Sequence, residues 1–286
     1  MTTVVCCGLT TLDVTQVVER VPGSDEKVVA RSVDVAVGGP AANAARTAAA
    51  LGARTTLVTA VGQGPLAGLV RAGLATEGVD VVDLADDDAG PALSTVLVTA
   101  ATGQRAVVST NAVGRRVREP DPAVLDGAGA LLVDGHLLPA QTVLARAARG
   151  RGCAVLLDGG SWKPGLEAVL AHVDLALVSG DFDVPGRPAD TDLLDAVAAL
   201  GPPVVAQSHG AGPVEAVGDG TRERIEVAHV PAAEVVDTLG AGDVLHGAVA
   251  FHLAAGAAWR GALAEGTRVA TRSVRHAGAM GWAGRG

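Results

Sequence analysis

Val235-Val236-Asp237-Thr238-Leu239-Gly240-Ala241-Gly242-Asp243 leads straight into Val244 to Ala255, an amphipathic stretch with helical spacing. Three small residues, Gly240, Ala241 and Gly242, precede that helix. Its unpaired first amides can therefore converge on an anion, which the positive end of the helix dipole favours. A carboxylate at the helix start, Asp243, then stands where it could take a proton from a hydroxyl attacking a phosphoryl group. The same spacing also suits a plainer role, in which Asp243 caps the helix and the glycines make a turn.

Outward from this segment, short runs of Val, Leu and Ala alternate with Ala-rich helical stretches, the pattern of βαβ units around a mostly parallel sheet. Strands are expected at Val4 to Gly8, Thr55 to Val61, Ala130 to Asp134, Ala154 to Asp158, Asp174 to Ser179 and Pro203 to Gln207. Four end in Asp134, Asp158, Ser179 and Gln207. Ligands of open α/β sheets bind beyond the carboxyl ends of strands, so these endings predict one cleft. Polar strand ends that simply emerge into solvent fit equally well.

Val28 to Val37 and Leu93 to Thr110 alternate like antiparallel strands, with Thr102-Gly103 as a turn, and no crossover helix follows either. They predict a small lid sheet. Val33, Val35 and Val37 share one face, which the other lid hairpin or a partner subunit should cover.

A chain of 286 residues is long enough for one α/β unit over 1–286, with the lid at about 14–37 and 91–111. Gly and Pro interrupt every apolar stretch short of the ~18 residues a membrane span needs. The N-terminus carries no basic leader, so a cytoplasmic location is expected and no membrane partner. A net charge of -9 disfavours nucleic acid. Arg115, Arg116 and Arg118 read as a solvated turn, and Asp86-Asp87-Asp88 as a solvated loop. Cys6 and Cys7 point to opposite faces of one strand and Cys153 starts another, without metal or disulfide spacing. No Tyr is present, so any carbohydrate would be recognised by polar groups.

A second segment, Gly38-Gly39-Pro40-Ala41-Ala42-Asn43-Ala44-Ala45, reads as a helix start: the glycines permit close backbone approach, Pro40 suits the first turn, and Gly52 ends the helix. Asn43 is a helix-start residue, or a donor and acceptor for a sugar hydroxyl.

Asp237 to Asp243 resembles the signature of ribokinase-like (PfkB) carbohydrate kinases, and its form with Leu239 is similar to ketohexokinases and sulfofructose kinase-like enzymes. The di-glycine helix resembles the other signature of that family, in the same order along the chain. The resemblance implies an α/β fold with a doubly wound, mostly parallel sheet flanked by helices and a β lid that often forms a dimer. It implies ATP and Mg2+, with potassium left open because cation dependence varies within the family.

By this resemblance Asp243 is the catalytic base and Gly240, Ala241 and Gly242 form the anion hole. Asp13, Gly38, Gly39, Asn43 and Arg105 bind the substrate, Arg105 near the sugar or its phosphate. Ser179, Asp181, Ser208, Gly210 and Thr238 lie on the nucleotide side. Asp181 would hold magnesium through water, and Asp237 a monovalent cation.

Three segments depart from the family pattern. Ser179-Gly180-Asp181-Phe182-Asp183 stands where an Asn-x-x-Glu is usual, Pro213 stands on a usual glycine, and Pro40 on an Asn of ketohexokinases. The expected activity is ATP-dependent phosphorylation of a small carbohydrate, a ketose or derivative. A nucleoside kinase and a non-catalytic sugar-binding relative are the alternatives. Gly62-Gln63-Gly64-Pro65-Leu66-Ala67 fits a dinucleotide pattern but not on the first strand, and no Walker-type phosphate loop occurs.

Overall fold

The computed structural model describes residues 1–284. Its first strand, β1 (Thr3–Cys7), shows why the sheet is covered on both sides. Cys6 packs with Leu57, Leu132 and Leu177, while Cys7 packs with Val58, Leu131 and Val133 in a separate core. Successive strand residues point to opposite faces, so a strand apolar at every position needs a layer on each.

β2 (Thr11–Val18) and β3 (Ser32–Gly38) come next, then α1 (Pro40–Ala50), β4 (Arg54–Thr59), α2 (Pro65–Thr76) and β5 (Val79–Asp83). β6 (Ala92–Thr99) and β7 (Arg105–Ser109) precede β8 (Ala130–Val133), α3 (Leu138–Arg149), β9 (Ala154–Gly159), α4 (Glu167–Leu170), β10 (Leu175–Val178) and α5 (Leu193–Ala198). The remaining elements are β11 (Val204–Gln207), β12 (Val214–Gly218), β13 (Thr221–Ile225), α6 (Ala241–Ala254) and α7 (Trp259–Ser273).

The main sheet has the order β13-β12-β11-β10-β9-β8-β1-β4-β5. It is parallel from β11 to β5 and antiparallel at β12 and β13. Buried side chains of α1, α2, α6 and α7 cover one face, and those of α3, α4 and α5 the other. This is the doubly wound fold expected from sequence, and all six expected strands form. The sequence reading missed β5 and the β12–β13 hairpin, whose outer strand Thr-Arg-Glu-Arg-Ile is too polar to stand out as a strand.

The second sheet corrects the lid in two respects. Its four strands lie edge to edge as β3-β2-β6-β7, with β2 and β6 parallel, so one hairpin does not cover the other. Val33 and Val35 are left 65% and 52% exposed, while Val37 packs on the main core. β3 also starts at Ser32 rather than Val28. The parallel pairing runs the full length of β2 and satisfies its backbone groups, which stacking two hairpins would leave bare.

The acidic and basic runs are likewise not separate solvated loops. Arg115 is almost buried and donates from Nε to Asp87 Oδ2 at 3.1 Å, while Arg116 N donates to the same oxygen at 3.2 Å. Opposite charges drew the two loops together into one folded strap.

Candidate active site

The winding of the sheet reverses beside β1, which has β4 on one side and β8 on the other. Loops leaving neighbouring strands diverge at such a point and open a crevice. Asp134, past β8, is buried in its floor. Its Oδ2 accepts from Leu9 N at 2.8 Å and Ala41 N at 3.2 Å, and its Oδ1 from Gln141 Nε2 and His136 N, each at 2.9 Å. It therefore ties together the loop after β1 and the starts of α1 and α3. Ser179 Oγ donates to Gly160 O at 3.0 Å, and Gln207 Nε2 to Ser179 O at 3.2 Å, holding the next two strand ends.

The di-glycine turn is required by close approach within the chain. A Cβ on Gly38 would lie 1.9 Å from Asp13 Oδ2, so only glycine leaves that carboxylate its place beside Thr11 Oγ1, which donates to Asp13 Oδ1 at 2.6 Å. Gly39 has φ 97°, in the left-handed region, and its missing Cβ would meet Leu9 O at 2.5 Å.

α1 and α6 then approach through small residues. A Cβ on Gly247 would come 2.4 Å from Ala44 O. This contact brings Asn43, near the start of α1, to Asp243 in the first turn of α6, where Asn43 Nδ2 donates to Asp243 Oδ2 at 2.7 Å. Arg46, one turn along α1, donates from Nη1 to Asn43 Oδ1 at 3.0 Å and to Val37 O at 2.8 Å, and pairs with Glu77. That guanidinium fixes which way the carboxamide faces. Sequence reading missed Arg46, although its i,i+3 spacing from Asn43 was visible.

Burial, followed by the charge of Asp158, pushes the Asp243 carboxyl up to about 7, against the Asn43 hydrogen bond and the charge of His246. Beside it, Gly240 begins α6 with φ 71°. A Cβ on Gly242 would meet nothing within 4 Å, so open space lies beside this first turn of the helix. Ala241 N is already spent on Thr238 O at 3.3 Å, so of the amides expected to bind an anion those of Gly242 and Asp243 are the better candidates.

Ala241 and Gly242 line the end of a cavity of about 390 Å³ whose walls are mainly apolar, with Val227, Val230, Leu245 and Val274 among them. Ser208, Gly210 and Thr238 from the expected nucleotide side line it too, whereas Ser179 and Asp181 lie outside it. Arg105 Nη2 donates to Thr238 Oγ1 at 2.9 Å and lies 3.5 Å from Asp237 Oδ1. The expected sugar-side arginine thus reaches the loop ahead of the anion hole.

A glycine-led helix start, a carboxyl pushed up by burial and an adjoining cavity thus stand together beyond the carboxyl ends of the strands. The model of the pfkB family carbohydrate kinases matches residues 1–282. The chain belongs to that family. Among solved structures, this kinase is similar to a protein from Agrobacterium tumefaciens provisionally identified as a ribokinase (26% identity, TM-score 0.85, 98% of this chain and 94% of that one). It also resembles Arabidopsis thaliana ribokinase complexed with ribose and ATP (23%, 0.80, 98% and 95%). Escherichia coli phosphofructokinase-2 in complex with potassium is a third (21%, 0.76, 98% and 94%). The enzyme class, an ATP-dependent carbohydrate kinase, is the one expected.

In this kinase Asp237 organises the loop: Oδ1 accepts from Leu239 N at 2.8 Å and Oδ2 from Gly278 N at 3.0 Å. With the Arg105 guanidinium beside it, a monovalent cation at Asp237 would meet a positive charge already in place. Among the described residues no group of three or more His, Cys, Asp or Glu is arranged to hold a metal.

Proposed function

We propose that the kinase transfers the γ-phosphoryl group of ATP to a hydroxyl of a small carbohydrate, a ketose or ketose derivative, with Asp243 as general base. The observation that carries this reading is the position of Asp243. It lies between the Asn43 carboxamide, on the sugar side, and the Gly242 edge of the apolar cavity. Asp243 accepts the proton of the attacking hydroxyl, while the amides of Gly242 and Asp243 receive the charge gathering on the phosphoryl oxygens. Asp13, against Gly38, together with Gly39 and Asn43, holds the other sugar hydroxyls. Ser208, Gly210 and Thr238 face the nucleotide. Bound with ATP, magnesium would neutralise phosphate charge, and Asp181, exposed past β10, would hold its water shell.

The polar face of the lid supports closure over this site. Pairing puts Asp13, Ser94, Ser109 and Arg105 on one side of the sheet, and Val33, Val35 and Val108 on the other. The apolar side is proposed to join a second copy of the chain. A cytoplasmic location agrees with three buried free cysteines.

The test is ATP consumption against ketoses, aldoses, sugar acids and nucleosides, followed by single-turnover transfer in Asp243→Asn. Asn keeps the size and the capping ability, so sugar binding should survive while transfer falls by roughly 10² or more. Undiminished transfer removes Asp243 as the base. Turnover of nucleosides alone makes this a nucleoside kinase.

A further inference from the structure

His246 lies one turn along α6 from Asp243 and is buried. Its Nδ1 is 2.7 Å from Gly242 O and its Nε2 is 2.9 Å from Leu177 O. Both partners are carbonyl oxygens, which only accept. A neutral imidazole has one N–H, so one of these short contacts would set a nitrogen lone pair against an oxygen lone pair. Protons on both nitrogens satisfy both contacts.

A cation formed in this way needs a counter-charge, because an unpaired buried ion is costly. Asp158, near the end of β9, supplies it. Its Oδ2 is 3.5 Å from His246 Nδ1, fully buried, and without a hydrogen bond. Burial pushes the Asp158 carboxyl up and the charge of His246 opposes that shift; with Nδ1 donating to Gly242 O, the ionised Oδ2 faces the imidazolium. The other charges facing this pair are Asp134 and His136 after β8, Lys163 after β9 and Asp243 on α6, and α1 contributes the uncharged Asn43.

We infer that His246 is a doubly protonated positioning residue, paired with Asp158, which holds the Gly242 end of the anion hole against β10 and keeps Asp243 ionised enough to act as base. Its bond to Gly242 O anchors the peptide whose neighbouring amides face the phosphoryl group. Its charge offsets that of Asp158, which otherwise drives Asp243 toward the protonated form.

The second part rests on Asp243 being the base; the protonation of His246 does not. Nitrogen-15 NMR of histidine-labelled protein at pH 7 tests the latter directly, with the His246 signal found by elimination through His→Asn variants of the other six histidines. Both ring nitrogens should carry protons. An unprotonated nitrogen at His246 overturns the proposal, whatever the protein phosphorylates. The pH profile of kcat for His246→Gln tests the charge. Loss of a positive charge raises the Asp243 pKa, so the acid limb should move up by about one unit. That is a roughly tenfold deficit on the acid side that closes at high pH, with the KM for ATP unchanged. A deficit constant across pH would mean a merely structural histidine and defeat this part, and a chain inactive on every acceptor would remove the kinase reading while leaving the NMR result standing.

Discussion

Asp243 acquires its properties from side chains that converge on it from distant parts of the chain. Its carboxyl, pushed up to about 7, must be ionised to accept a proton, so kcat should rise with pH through about 7 and level off above it. A flat profile from pH 6 to 8 would show that the carboxyl is not the titrating base. Behind Asn43, the guanidinium of Arg46 is only 11% exposed and satisfies acceptors on three residues at once, Val37, Asn43 and Glu77. Arg46→Lys keeps the charge but lacks the planar fork. It should lower kcat by about 3- to 10-fold and stability by about 1–3 kcal/mol, as expected for lost hydrogen bonds to charged groups, readable by single-turnover kinetics and denaturant titration. Full activity in that variant would leave Asn43 oriented without Arg46.

At the scale of elements, the contact that matters is between the lid and the anion loop. β7 begins with Arg105, which reaches Thr238 and Asp237 across 132 residues or more of sequence. Nothing in the local alternation of the strand told where that side chain would go. Removing it in Arg105→Ala should free the β6–β7 edge, seen as amide exchange there about 5-fold faster, the size of one partly exposed ion pair. The effect should shrink as salt rises. Unchanged exchange would mean that Arg105 does not hold the lid.

For the molecule as a whole, the outer face of the lid is the largest departure from a self-contained structure. Val108, on β7, is 76% exposed on the same face as Val33 and Val35 of β3, at the opposite edge of a sheet only one layer thick. Exposed apolar side chains on one face are where the proposed second copy would dock. Sedimentation should give twice the 28.3 kDa chain mass, and Val35→Asp with Val108→Asp should give the monomer with its fold retained by circular dichroism. A wild-type monomer would leave this face without its proposed partner.

By itself the sequence determined the layered fold, because βαβ order and apolar strands leave few other ways to bury both faces of a sheet. It also marked Asp243 and the small residues before it as the candidate site, since a glycine-led helix start is local in the chain. Tertiary structure alone decided which side chains tune that site. Arg46, Asp158 and His246 look ordinary where they stand in sequence, and their roles depend on distances set when α1, α6 and the ends of β9 and β10 pack together. The single-layered lid and the partnership of Asp87 with Arg115 were hidden for the same reason: pairing across long separations follows from which backbone groups and charges remain unsatisfied once the core has formed.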